Sequence, residues 1–167
     1  MINEILSAST FLAALGCGLM AGVFFTFSTF VMKALASLPP AQGIAAMQSI
    51  NVAVINSWFL GAFLGTATLC AMLGVGSLLS LHRPGAVYLL LGSALYLVGT
   101  VLVTGIFNVP QNDALATADP TSANAASLWS EYVVSWTAWN HVRTLAACAA
   151  GALLIFALCL QRAQAVA

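Results

Sequence analysis

The side chains best suited to chemistry fall in three short stretches. Asn140, His141 and Arg143 close the run Trp136-Thr-Ala-Trp139-Asn140-His141-Val-Arg143. Asn108 and Asn112 flank Pro110, and Gln48 and Asn51 end a polar stretch that follows Lys33. An imidazole titrates near neutral pH and can serve as a general base. A guanidinium holds a developing anion through charge-assisted hydrogen bonds. On a regular helix, however, residues 141 and 143 lie about 200° apart. If Arg143 faces a cavity with Trp136 and Asn140, His141 points elsewhere, beside Thr137 and Thr144. Either one of the two is structural or the helix breaks near Asn140, and the spacing leaves both open.

Other chemistries find little support. A metal site wants several converging His, Cys or carboxylate ligands. The candidates at this level are His141, Asp113, Asp119 and Glu131, with His82 expected at the opposite end, so no metal is expected. No glycine-rich dinucleotide fingerprint follows a strand, and no axial ligand pair is placed for haem. No cofactor is expected. Cys17, Cys70, Cys148 and Cys159 sit in apolar runs without a CxxC pair and read as packing residues.

The elements that must position these residues follow from composition. Of 167 residues, four are basic and four acidic; charged residues make up 5% and hydrophobic ones 62%. A soluble domain carries about 25% charged residues and could not clothe its surface with so few. An ordinary soluble enzyme, a disordered tail and a nucleic-acid binder are excluded. The chain reads as an integral, multi-pass membrane protein.

A bilayer core needs about 20 apolar residues in a helix. Four stretches qualify, at about 5–32, 52–81, 86–107 and 142–160. The expected architecture is a single all-α domain, a four-helix transmembrane bundle. A short amphipathic helix is expected before spans two and four, the latter within a polar connector at 108–141. The first seven residues carry Glu4 and no basic side chain, unlike a signal peptide, so the first span reads as retained. Basic residues tie between the two faces, Arg83 and Arg162 against Lys33 and Arg143. Setting Arg143 aside as a site residue leaves both termini cytoplasmic in a bacterial inner membrane.

Four spans bring four helix ends to one face. Lys33, Gln48, Asn51, Asn56, Asn108, Asn112, Glu131, Asn140, His141 and Arg143 then share one level. Polar groups at bundle depth are costly, so such a gathering points to function. Two stripes lead to it. Ser93, Tyr96, Thr100, Thr104 and Asn108 share a face of the third span, which should turn inward because hydroxyls gain nothing from lipid. Trp129, Tyr132, Trp136, Asn140 and Arg143 fall within about 80° of arc. The pairs Gly18/Gly22 and Gly61/Gly65 are spaced for close helix contact.

Several motifs resemble one family. Gly18-Leu-Met-Ala-Gly-Val-Phe-Phe-Thr-Phe-Ser28 with Val31-Met32 resembles the first span of the anthrone oxygenase-like membrane family, long catalogued as a domain of unknown function. So do Ala46-Met47-Gln48-Ser49-Ile50-Asn51, Phe107-Asn108-Val-Pro110-Gln-Asn112 and the 136–143 run. The resemblance spans nearly the whole chain and implies a small four-helix membrane protein. Fungal relatives are associated with oxidising anthrones to anthraquinones with molecular oxygen and without an evident organic cofactor or metal.

An anthrone has an acidic carbon–hydrogen bond, and its enolate reduces oxygen directly. In that chemistry His141 is the expected base, and Arg143 or Lys33 holds the anion. Asn108, Asn112 and Asn140 orient oxygens, Trp136 and Trp139 stack on the rings, and Gln48 and Asn51 complete the substrate-binding mouth. The expected partners are a lipophilic small molecule, molecular oxygen and the lipid bilayer, without nucleic acid; a homo-oligomer is compatible. Two functional readings fit the same mouth: a cofactor-independent oxidoreductase, or a non-catalytic protein that binds a lipophile or a partner protein.

Overall fold

The computed structural model describes the backbone of residues 2–166 and the side chains of residues 4–163. Every regular element among them is helical. Helix α1 (Ile2–Thr26) runs through a π-helical turn, Phe27–Val31, into α2 (Met32–Ala36). The short α3 (Pro40–Ala53) opens on a proline, whose missing N–H would be unpaired there anyway. Helix α4 covers Ser57–Leu78. Helix α5 (Ala86–Tyr96) continues through π-helical stretches, Leu97–Leu102 and Thr104–Asn108, into α6 (Val109–Ala116). Helix α7 is one rod of 42 residues, Ala125–Val166.

Four rods are long and apolar enough to cross a membrane: Glu4–Ala36, Ser57–Leu78, Ala86–Ala116 and Ala125–Ala163. They close a ring in the order α1, α7, α5, α4 and back to α1. Their outward side chains, such as Leu15, Leu19, Val75 and Leu145, are exposed and apolar, as a lipid solvent requires.

The rods differ from the apolar stretches at their ends, each time for a local reason. Residues 52–56 do not belong to the second rod. Asn56 Oδ1 accepts the N–H groups of Trp58 at 3.1 Å and Phe59 at 3.0 Å, and this N-cap starts α4 at Ser57. Pro110 does not break the third rod. A proline ring crowds the carbonyl four residues back, and here the wider π-helical stretch directly precedes it. The amphipathic entry expected before span four is continuous with that span, and the only loop between α6 and α7 is short. In it Asp119 accepts from the Thr121 N–H at 2.8 Å and the Thr121 hydroxyl at 2.7 Å. Those bonds hold its carboxyl below the usual carboxylate range.

The core has two parts. One fills the middle of the ring with Cys17, Met20, Phe63, Cys70, Tyr96 and Leu154, and the alanines Ala147, Ala150 and Ala157 let α7 lie close to its neighbours. The other sits where α3 and α6 cover the end of the bundle: Met32, Ile44, Met47, Leu115, Trp129, Tyr132 and Trp136. The third-rod stripe does turn inward, with Ser93, Tyr96, Thr100 and Asn108 all buried.

The paired glycines do not pack as expected. A Cβ at Gly18, Gly22, Gly61 or Gly65 would meet nothing within 4 Å, so both ridges face outward. The close approaches are elsewhere. At Gly43 a Cβ would lie 2.7 Å from the Trp129 indole. Gly85, at φ +78°, turns the chain into α5 in a left-handed conformation that side chains resist, and a Cβ there would lie 3.0 Å from the Ala157 carbonyl oxygen. Gly43→Ala is expected to cost about 1–3 kcal/mol by overpacking, whereas Gly18→Ala costs nothing. Melting temperatures of the two variants in one detergent check this, and equal values would contradict the packing.

Candidate functional site

Helix α7 carries the site because its inward stripe is continuous. Trp129, Tyr132, Trp136, Asn140 and Arg143 are all buried. No break occurs near Asn140, so the stripe delivers Arg143 to the inside and turns His141 outward.

The Arg143 side chain is 5% exposed. One terminal nitrogen donates to Asn140 Oδ1 at 2.6 Å and the other to Thr104 Oγ1 at 3.2 Å. The guanidinium carbon lies 4.5 Å from the centre of the Phe24 ring and 5.1 Å from that of Trp136. Its Nε has no partner. All of these neighbours are neutral; no carboxylate accepts from it.

Asn140 is fixed in turn. Its Nδ2 donates to the Phe24 carbonyl at 2.7 Å and to Ser28 Oγ at 2.7 Å. A carbonyl only accepts, so the amide nitrogen must face α1 and the amide oxygen must face Arg143. The orientation of Asn112 follows by the same logic. Its Oδ1 accepts from Tyr132 Oη at 2.8 Å and from Trp136 Nε1 at 2.8 Å. An indole only donates, so the Asn112 NH2 is left for the cavity that this residue lines. Asn108 Nδ2 donates to the Trp136 carbonyl at 3.2 Å and ties the third rod to α7. Gln48 Nε2 donates to the Leu115 and Ala118 carbonyls, at 2.8 and 3.1 Å, and ties α3 to the end of α6.

These ties enclose a cavity of about 470 Å³. Phe24 and Phe27 from α1, Phe59 and Phe63 from α4, and Trp136 from α7 give it aromatic walls. Arg143 and Thr104 stand on its inner wall, and Gln48, Asn51, Asn112 and Asp113 add polar groups from α3 and α6. Asn51 Nδ2 is buried there without a partner. The cavity is therefore an apolar, ring-lined slot with donors from Arg143 and Asn112 and acceptors from Gln48 and Asp113. That arrangement suits a flat molecule carrying electron-rich oxygens.

The sequence profile of the anthrone oxygenase family matches residues 55–153. The chain belongs to that family. No curated protein and no solved structure matches it. Within this anthrone oxygenase family member, the matched region holds Arg143, Asn140, Trp136, Asn112 and Asn108, while Gln48, Asn51 and Lys33 lie outside it.

The residues expected at the site therefore divide by place. Arg143, Trp136, Asn112, Asn51 and Gln48 share the cavity. Asn140 and Asn108 stand behind its wall. Trp139 lies elsewhere, stacked on Phe107 with centroids 3.5 Å apart. Lys33 and His141 line a second, open groove of about 350 Å³ with Ser28, Met32, Val133 and Thr137. His141 and Arg143 are thus not brought together.

Asp113, Phe24, Phe59 and Phe63 line the cavity but were not singled out for it. Asp113 follows Asn112 directly, and extending the third helix past Pro110 would have found it. Phe59 and Phe63 are one helical turn apart, a spacing that also describes plain packing. Among the described residues no three His, Cys, Asp or Glu side chains converge as metal ligands would.

Asn140→Ala removes two bonds to the first rod, at Phe24 and Ser28, and leaves a guanidinium nitrogen unpaired. The expected loss is about 3 kcal/mol, as for a buried hydrogen bond to a charge. Thermal unfolding in detergent measures it, and an unchanged midpoint would contradict the clamp.

Proposed function

We propose that the chain is a membrane oxidoreductase that uses molecular oxygen to oxidise a lipophilic phenolic or anthrone-type molecule. One observation carries the reading: the buried Arg143 guanidinium has only neutral partners and lies on the wall of an aromatic-lined cavity. Removing a lone charge from water costs several kcal/mol, and cation–π contacts and neutral oxygens offset only part of this. An anionic oxygen on a bound ligand is the missing counter-ion.

The chemistry follows from that preference. A carbon acid conjugated to a carbonyl is neutral when it binds and becomes an enolate when it loses a proton. Arg143 favours the enolate over the neutral form, so its binding energy appears where charge develops. The enolate is electron-rich enough to reduce oxygen: a carbon–oxygen bond forms, and the resulting peroxide loses water to leave a ketone. In sum a CH2 group and one O2 give a C=O group and one H2O. The aromatic walls hold the ring system flat, and the Asn112 NH2, whose oxygen is taken by Tyr132 and Trp136, would donate to another of its oxygens. Membership in the anthrone oxygenase family supports the reaction class.

Oxygen uptake by the purified chain with anthrone tests the reading. Arg143→Ala is expected to lower kcat/KM by about 100- to 1,000-fold, as for loss of a main anion-stabilising donor, and Arg143→Lys to recover part of it. Tight anthrone binding without oxygen uptake by the unaltered chain would instead assign the cavity to carriage of a lipophile. Full turnover by Arg143→Ala would remove the reading's support.

A further inference from the structure

Among the described residues, two ionisable side chains line the cavity, Arg143 and Asp113. No ion pair joins them: the terminal nitrogens of Arg143 bond to Asn140 and Thr104, and Asp113 is exposed. The lining therefore offers a buried cation from α7 and an exposed carboxylate from α6. His141, the side chain whose type suggests a base, lies across α7 in the other groove.

We propose that Asp113 is the proton acceptor of this site, a catalytic role that rests on the oxygenase reading above. A ligand spanning the cavity would present an oxygen to Arg143 and an acidic carbon–hydrogen bond to Asp113. The Asp113 carboxylate takes the proton, and the electron pair moves through the rings onto the oxygen held by Arg143. The carbon then adds O2, and the protonated Asp113 returns its proton to the terminal peroxide oxygen. In the second step the carboxylate removes the remaining hydrogen from that carbon, the C=O bond forms as the O–O bond breaks, and the departing hydroxide takes the proton back from Asp113 to leave as water.

The position of Asp113 is built, not incidental. The third rod reaches it only because helix continues past Pro110. Its segment is held on both sides, by the Gln48 bonds to the Leu115 and Ala118 carbonyls and by the Tyr132 and Trp136 bonds to Asn112. Because it is exposed, the carboxylate can exchange its proton with water between turnovers.

The test separates proton transfer from oxidation. Anthrone is incubated without oxygen in D2O with the full-length chain in detergent, and deuterium at its acidic carbon is followed by NMR. The unaltered chain is expected to catalyse exchange. Asp113→Asn is expected to slow it by about 100-fold or more, in line with loss of a general base, and Asp113→Glu to restore part of it. Anthraquinone quenching of tryptophan fluorescence reports whether each variant still binds. Exchange by Asp113→Asn at the unaltered rate overturns the proposal, as does loss of exchange in His141→Ala with Asp113→Asn unaffected. No exchange by the unaltered chain overturns it too. Exchange that depends on Asp113 without oxygen uptake supports the base and sinks only the oxygenase reading.

Discussion

A guanidinium inside a lipid-facing bundle imposes conditions on everything around it. Arg143 needs acceptors, and the bundle supplies an amide oxygen and a hydroxyl, with no carboxylate. The amide oxygen is available only because the Phe24 carbonyl and Ser28 engage the nitrogen of Asn140. A carboxylate in the same place would settle the charge permanently. A neutral clamp positions it and leaves its electrostatic demand in place, directed at whatever enters the cavity. The site is thus preorganised by polar groups and kept unsatisfied by the choice of neutral ones.

The helical irregularities serve the same arrangement. Both rods that flank α7 widen into π-helix near Arg143 and Asn140, at Phe27–Val31 and over Leu97–Asn108 apart from Val103. Ser28 lies in the first of these, and Thr100, Thr104 and Asn108 in the second. Single π-turns are less favourable than α-helix and tend to mark functional positions. Here they coincide with the side chains that meet α7 across the ring, and the second one lets the third rod pass Pro110. The benefit is a continuous rod that carries Asn112 and Asp113 to the cavity.

Much of this was legible in the sequence, and the limits have physical causes. Four spans followed from charge scarcity and apolar length, because lipid admits few alternatives. The α7 stripe followed from helical periodicity, since Trp129 through Arg143 must share a face whatever they touch. Periodicity is silent on what lies opposite. It could separate His141 from Arg143 but not choose between them; the clamp on Arg143 required the position of α1. Trp136 and Trp139 look equivalent in sequence, yet one turns to the cavity and the other to Phe107. Glycine spacing misled because an unbranched ridge is equally smooth against lipid and against a helix, and only the neighbours reveal which it meets. The third span is expected from sequence to end at about 107, before Pro110, because the rule against proline in a helix assumes a regular ladder before it.

The cavity also has a consistent polarity from rim to wall. Leu60, Leu64 and Val109 at its edge are exposed and apolar. Asp113, also exposed, adds a polar group to the same lining, and Gln48 and Asn51 add half-buried ones. A strictly aqueous mouth would not carry the first set, and a strictly lipidic one would not carry the second. An opening of this kind suits a molecule that partitions into the bilayer through its rings and keeps its oxygens near the interface. On the proposed reading, that same amphipathic character is what lets an enolate form: the rings exclude water from the charge, while the oxygens meet the fixed donors. In that proposal the features that would admit the ligand and those that would ionise it are one arrangement, set by which side of α7 carries the guanidinium.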